Sequence, residues 1–281
     1  MAIEVALHFS TQIISADSRQ CFKELNIGVA RPSPDELKLV PHYFIGSHSI
    51  HNTVNAAVFE QYALEKVNQI FERSDTAVMV GGTGLYIKTF CSGIDEVPAI
   101  IDGVRERIIA EYELNGLAWL QDEVRVSDPV YFAKGEVQNP QRLMRALEVK
   151  LSTGKSILEF HSQKKVERDF NIVKIGLELP RQELYQRINS RVDGMMEMGL
   201  VAEAKSLEPY KQLNALQTVG YSELFDYFED KITLEQAIGA IQINTRHYAK
   251  RQMTWFKKDP EIRWCPPEIS VVMDHIKKMP D

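Results

Sequence analysis

The chain has 281 residues, 44% of them hydrophobic and 26% charged, with a formal net charge of -6. That length and apolar content suit one large domain or two modest ones with a real core, and they exclude a disordered chain. No apolar run approaches the roughly 18 residues of a membrane span and no basic-then-apolar leader opens the sequence, so a soluble, cytoplasmic protein without a membrane partner is expected.

Cys21, Cys91 and Cys265 are scattered without a CxxC pair, which points to reduced thiols rather than a disulfide framework or zinc ribbon. The acidic balance speaks against a nucleic-acid partner unless Lys and Arg collect on one face, and two later segments collect them.

In chain order, residues 1–9 have helical spacing and residues 11–16, with Ile13 and Ile14, read as a short buried strand. Residues 42–46 form a second possible strand and 54–71 a helix. Thr76-Ala-Val-Met-Val80 is a third strand that runs into Gly81-Gly82-Thr83-Gly84. Alternating strands and helices imply a mostly parallel sheet. From 102 to about 154 the pattern is wholly helical, with Asn139 as N-cap, Pro140 at the first helical position and Gly154 past the end. A strand returns at 172–179. Pro180 then opens a helix through Val192 that breaks near Gly199, and Thr233-Leu-Glu-Gln236 has capping-box spacing for a helix to about Phe256. The expected division is 1–100 as the first part of an α/β core, 101–170 as a helical insertion, and 171–281 as the remainder of the core with C-terminal helices.

Asp17 follows a buried strand, and ligands of open parallel sheets gather at strand carboxyl ends; Asp17 is therefore either a general base or, with Ser18, a turn cap. The Gly81-Gly82-Thr83-Gly84 junction allows close backbone approach, with free amides and the Thr83 hydroxyl facing an anion. Arg142 and Arg145 lie three apart on a helix whose apolar edge carries Leu143 and Leu147, a geometry for phosphates or bases that Glu148 could neutralise. Arg187 and Arg191 lie one turn apart beside the core stripe Leu184, Ile188 and Val192, suited to a pyrophosphate, with Glu183 and Asp193 as competing partners. The last long helix carries Arg246, Lys250 and Lys257 near Trp255 and Phe256, which could meet a nucleic-acid backbone or form surface and core. His42, His48 and His51 lack partners at metal-ligand spacing and read as structural.

Six blocks carry a resemblance: Ile14-Ser-Ala-Asp-Ser-Arg-Gln20 with Asn26-Ile-Gly28, Val80-Gly-Gly-Thr-Gly-Leu-Tyr86, Asn139-Pro-Gln-Arg-Leu-Met-Arg-Ala-Leu-Glu148, Leu184-Tyr-Gln-Arg-Ile-Asn-Ser-Arg-Val-Asp193, Thr218-Val-Gly-Tyr221 and Tyr248-Ala-Lys-Arg-Gln-Met-Thr-Trp255. Their order up to about residue 264 resembles the bacterial tRNA dimethylallyltransferase, or tRNA isopentenyltransferase, family. The resemblance implies an α/β fold, a P-loop-kinase-like, nucleotide-binding type of parallel sheet flanked by helices, with a mainly helical inserted module that contacts tRNA. It implies transfer of dimethylallyl from dimethylallyl diphosphate, with magnesium, to the exocyclic amine of a flipped-out adenine beside the anticodon. Asp17 would be the base, Ser18, Arg19 and Gln20 would line the tRNA contact, Thr83 would lie in the reaction channel and Arg191 would hold the diphosphate. Arg105, Gln141, Arg142, Leu143, Met144 and Arg145, with Lys250, would touch the anticodon arm, and the protein would be a monomer.

Family members begin with a strand and a phosphate loop ending in Gly-Lys-Thr, and no GxxxxGK[ST] occurs in this sequence. Residues 1–9 match the tail of the helix after that loop. The expectation is an internal start or a truncation that removes a central strand and the loop, and leaves the 281 residues inactive and less stable on their own. A eukaryotic zinc-finger extension is absent too, as expected of a bacterial type. Two other readings share the core: an adenylate isopentenyltransferase acting on a free nucleotide, and an inactive RNA-binding relative. Arg142, Arg145 and the basic last helix favour the tRNA enzyme.

Overall fold

Residues 1–95, 97–161 and 166–278 are described by the computed structural model of the chain. The path opens with α1 (Ala2–His8), β1 (Ile13–Ser15), α2 (Pro34–Leu39), β2 (His42–Tyr43), α3 (Ala56–Phe71), β3 (Val78–Val80) and α4 (Gly84–Ser92). It continues through α5 (Val104–Ser127), α6 (Pro129–Lys134) and α7 (Pro140–Thr153). Then follow β4 (Ile175–Leu177), α8 (Arg181–Glu197), α9 (Leu200–Leu207), α10 (Tyr221–Phe228), α11 (Leu234–Phe256), β5 (Arg263–Cys265) and α12 (Ile269–Lys277). Two units result, one formed by Met1–Ser92 with Glu167–Asp281 and one by Gly93–Val166.

In the first unit β1 is the middle strand of a parallel sheet ordered β2-β1-β3, with Ile13 opposite His42 and Val78. Parallel neighbours need crossover connections, and α2 and α3 supply them. Because β1 is covered on both faces, all three of its residues are buried, which explains a continuous Ile-Ile run in place of alternation. β4 and β5 form a separate parallel pair. The expected strands at 11–16 and 172–179 are real but shorter, and the expected break near Gly199 is present: α8 ends at Glu197 and Gly199, at φ 97, is the N-cap of α9.

Local chemistry sets the helices. Ser33 and Glu36 form a reciprocal capping box with Pro34 at the first position of α2. Asn55 accepts from the amides of Ala57 and Val58 to start α3, whose buried stripe is Phe59, Ala63, Val67 and Ile70. Each of the larger members contributes roughly 1.5–3 kcal/mol by leaving water. Phe59 stacks on Tyr86 at 4.6 Å and meets Phe44 edge-on at 5.0 Å. Phe44 is fully buried at φ 61, a left-handed conformation that a bulky residue adopts only when packing holds it there. The turn it makes sends Gly46 and His48 back to donate to the carbonyls of Gln20 and Cys21.

The second unit is helical. Its core joins Val104, Ile108, Leu120 and Val124 of α5 to Leu143, Ala146 and Leu147 of α7 and Tyr131 of α6. Asn139 caps α7 through the Arg142 amide, and Gly154 closes it at φ 75. Gly116, at φ 74, kinks α5.

Candidate active site

Asp17 stands where β1 ends. Its Oδ1 accepts the amides of Arg19 at 2.8 Å and Gln20 at 3.1 Å, an Asx turn that fixes the carboxylate and leaves Oδ2 available. Turn cap and candidate base are thus one arrangement. Gln20, half-buried, accepts from the Ser15 hydroxyl at 3.0 Å and donates to the carbonyls of Val29 at 3.2 Å and Ala30 at 3.0 Å, so it braces the segment 17–30. The Arg19 guanidinium donates to Asn214 Oδ1 at 3.4 Å; burial lowers its pKa, against the opposing fields of Tyr86, Cys21 and Asp17.

Thr83 joins the ends of β1 and β3. Its hydroxyl accepts from the Ser18 amide at 3.0 Å, and its own amide donates to the Ala16 carbonyl at 3.2 Å. The glycines on either side are closely approached, Gly81 by fixed backbone and Gly82 by a side chain that can move. A Cβ at Gly81 would lie 2.3 Å from the Ala16 carbonyl oxygen, one at Gly82 1.8 Å from Gln252 Nε2, and one at Gly84 2.3 Å from the Trp255 ring. The loop amides expected to face an anion therefore include one, that of Thr83, already used inside the protein, and the loop is covered by α11. Gln252 donates to the Gly82 carbonyl at 3.0 Å. Tyr248, one turn earlier, lies beside Thr83 and Gln252; burial raises its phenol, and the Asp17 charge raises it further. The Arg251 guanidinium lies 5.6 Å from the Tyr248 ring centre.

The basic residues of α8 and α11 divide by their partners. Arg187 pairs with Glu183 at 2.7 Å, whereas Arg191 is exposed and has no ion pair among the described residues; Asp193 accepts from Gln242 instead. Arg246 donates to Asn189 at 2.7 Å and lies 5.1 Å over Tyr185, which Arg181 also flanks at 5.1 Å. A cavity of about 440 Å³ is lined there by Arg181, Gln182, Tyr185, Gln186 and Asn189. At about 100° per residue, Arg191 is roughly 160° around α8 from Asn189, on the other side from that cavity. Lys250 is exposed, and Lys257 pairs with Glu178 at 2.7 Å. Trp255 is both packed against Gly84 and 39% exposed, so neither of its two expected roles excludes the other.

In the helical unit, Gln141 and Arg142 are exposed while Leu143 and Met144 are buried in its core, so the side chains of the last two are unavailable at the surface. Glu148, 4% exposed, is paired with Arg145 at 3.1 Å and Arg105 at 3.2 Å, leaving Arg142 as the arginine of α7 without an ion pair among the described residues. His42 Nδ1 contacts the Val40 carbonyl and His48 Nδ1 the Ser47 hydroxyl. Among the described residues no three His, Cys, Asp or Glu side chains gather as for a metal ion, and no helix is long and apolar enough to cross a membrane. Sequence reasoning missed Tyr248, Gln252 and Asn214 as neighbours of Asp17 and Thr83. The i, i+4 spacing of Tyr248 and Gln252 was legible, but what that edge of α11 meets was not.

The arrangement matches known proteins along nearly its whole length. The family model described as IPP transferase matches residues 20–259. The tRNA dimethylallyltransferase of Christiangramia forsetii is 49% identical over 94% of this chain and 87% of that protein. The tRNA dimethylallyltransferase 1 of Bacteroides thetaiotaomicron is 46% identical over 95% and 87%. Among solved structures, the full-length tRNA isopentenylpyrophosphate transferase of Bacillus halodurans has a TM-score of 0.69 at 31% identity, covering 98% of this chain and 88% of that one. A eukaryotic dimethylallyltransferase acting on tRNA shares the fold, with a TM-score of 0.78 at 24% identity over 97% of this chain and 71% of that chain. With a family model spanning most of its length and relatives close to half identical, this chain belongs to the IPP transferase family.

Proposed function

We propose that this protein transfers a dimethylallyl group from dimethylallyl diphosphate to the exocyclic amine of the adenine 3′-adjacent to the anticodon in tRNA. The observation that carries the reading is the Asp17–Thr83 pair, held at the carboxyl ends of adjacent parallel strands in a member of the IPP transferase family. In the reaction the amine nitrogen forms a bond to C1 of the prenyl group as the C1–oxygen bond to diphosphate breaks, and the proton lost by nitrogen passes to Asp17 Oδ2. Oδ1 stays engaged with the Arg19 and Gln20 amides, so the base does not rotate as it accepts the proton. The adenine must first leave its stack, and Thr83 and Tyr248 form the polar wall it enters. Arg191, exposed and unpaired among the described residues, is free to hold the departing diphosphate.

Magnesium fits as a counter-ion carried by the diphosphate. Such an ion would need only one or two protein oxygens because phosphates and water supply the rest, and the Thr83 hydroxyl, beside the Ser18 amide, would be one. When bound it offsets the charge developing on the leaving group. Arg142 on α7, with Arg145, Arg105 and Gln141 beside it, forms the anticodon-arm contact of the helical unit; Leu143 and Met144 support that helix from within. Lys250 adds a contact on α11. The helical unit, Gly93–Val166 rather than the 101–170 expected, is the tRNA-reading insertion, Met1–Ser92 and Glu167–Asp281 form the catalytic core, and the protein works as a cytoplasmic monomer.

The test is prenyl transfer by the full-length protein to an anticodon stem-loop, with dimethylallyl diphosphate and magnesium. Asp17→Asn is expected to slow single-turnover transfer on the order of 10²-fold or more, while stem-loop affinity stays nearly unchanged. Transfer to free adenylate but not to the stem-loop, or a parental rate from Asp17→Asn, would overturn the reading.

A further inference from the structure

Two sequence blocks have no role in the site so far, the Asn26-Ile-Gly28 turn and the Thr218-Val-Gly-Tyr221 segment. One carboxylate joins them. Glu203, on α9, accepts the Ile27 amide through Oε2 at 2.9 Å, the Gly28 amide through Oε1 at 3.0 Å, and the Tyr221 hydroxyl through Oε1 at 2.6 Å. Tyr221 is fully buried, and its ring is so close to Gly28 that a Cβ there would lie 2.6 Å from it. Burial and the bond to Glu203 raise the phenol, so it stays the donor. Three donors converging on one carboxylate make a stiff connection.

From that turn the path to Asp17 is short. The Ala30 amide donates to Ile27 and the Arg31 amide to Asn26, which closes the turn. The carbonyls of Val29 and Ala30 hold the Gln20 side chain, and the Gln20 amide holds Asp17 Oδ1. We propose that Glu203 is a positioning residue for Asp17: by pinning the 26–28 turn to α9 and Tyr221, it sets the Gln20 brace and hence the direction of the carboxylate. The inference rests on the proposed role of Asp17 as base.

Glu203→Gln tests it, because the amide keeps the shape but presents an NH2 to a backbone N–H or to the phenol. In the full-length protein kcat for prenyl transfer should fall about 10- to 100-fold, the scale of a sub-ångström to ångström misplacement, with the KM values for donor and stem-loop within about twofold. In an Asp17→Asn background the same substitution should cost no more than about twofold, since a residue acting only through Asp17 has nothing left to position. Tyr221→Phe keeps the ring and should show a smaller loss that also vanishes in the Asp17→Asn background; it carries the test if Glu203→Gln fails to fold. A kcat within twofold of the parent for the folded variant, or an equal loss on top of Asp17→Asn, overturns the positioning role. Parental activity of Asp17→Asn alone would instead sink the base assignment.

Discussion

Gly81→Ala perturbs the junction of β1 and β3 at its tightest point. The new Cβ would lie 2.3 Å from the Ala16 carbonyl oxygen and 2.4 Å from its carbon, where about 3.5 Å is comfortable. Both atoms are backbone and cannot swing aside. The Ala16 amide donates to Val80 at 2.7 Å and its carbonyl accepts from Thr83, so any retreat stretches the ladder that aligns the site. Overpacking costs about 1–3 kcal/mol and a weakened hydrogen bond about 1, while the lost freedom of glycine in the unfolded chain returns about 0.4–1. The net is a destabilisation of about 2 kcal/mol, and a melting temperature lower by roughly 3–4 °C for a chain of this size. Asp17 follows Ala16 directly, so single-turnover transfer should also fall by about tenfold. Gly82→Ala is the control, because the atom in its way is the far end of the Gln252 side chain, which can rotate off. Equal melting temperatures and rates for Gly81→Ala and the parent, or a larger loss from Gly82→Ala, would refute the argument.

Arg142→Ala and Lys250→Ala should each flatten the log–log salt dependence of stem-loop binding by roughly 0.7 to 0.9, and Arg145→Ala by less, because Glu148 already neutralises Arg145; identical slopes for all variants and the parent would mean a merely solvated face. Arg191→Ala should raise the KM for dimethylallyl diphosphate and leave stem-loop affinity alone, and an unchanged KM with unchanged turnover would remove the arginine from the donor site. The Cys21 thiol is pushed up to about 12, chiefly by burial and then by the Asp17 charge, so it stays protonated at pH 8 and native protein should resist iodoacetamide at that position until unfolded. Peptide mapping that finds Cys21 alkylated within minutes in folded protein would contradict this.

The parts of the fold that could be read from the sequence are those written in neighbouring residues. Asn139, Pro140 and Gly154 bracket α7, and the Thr233–Gln236 box starts α11, because caps act within one turn. The Ser33–Glu36 box and Pro34 were equally local signals for α2, although its apolar content is too low for periodicity to mark it. Strand ends were overcalled because apolar character continues past the last paired residue: Ala16 is fully buried but lies beyond β1. The run between Gly199 and Thr233 gave no periodic signal, since it folds into α9, two 3₁₀ turns and α10, each too short for a repeat to show.

The site follows the same rule at longer range. Asp17 and Thr83 could be singled out as candidates because each follows a strand, and a strand end in a parallel sheet announces itself through an apolar run stopped by Asp or Gly. What the glycines do was misread in part, because the reason for Gly82 and Gly84 lies on α11, about 170 residues away, in Gln252 and Trp255. Glu148 was legible as a partner of Arg145 along one helix, but its second ion pair, to Arg105, crosses from α7 to α5 and was not. Glu203 could not be singled out at all. A glutamate in the middle of a short amphipathic helix is ordinary on any surface, and only its three donors, contributed by two segments distant in sequence, separate it from Glu197 or Glu208 nearby. Residues that present chemistry are marked by their own neighbours, whereas residues that aim it are marked by the partners that folding brings to them.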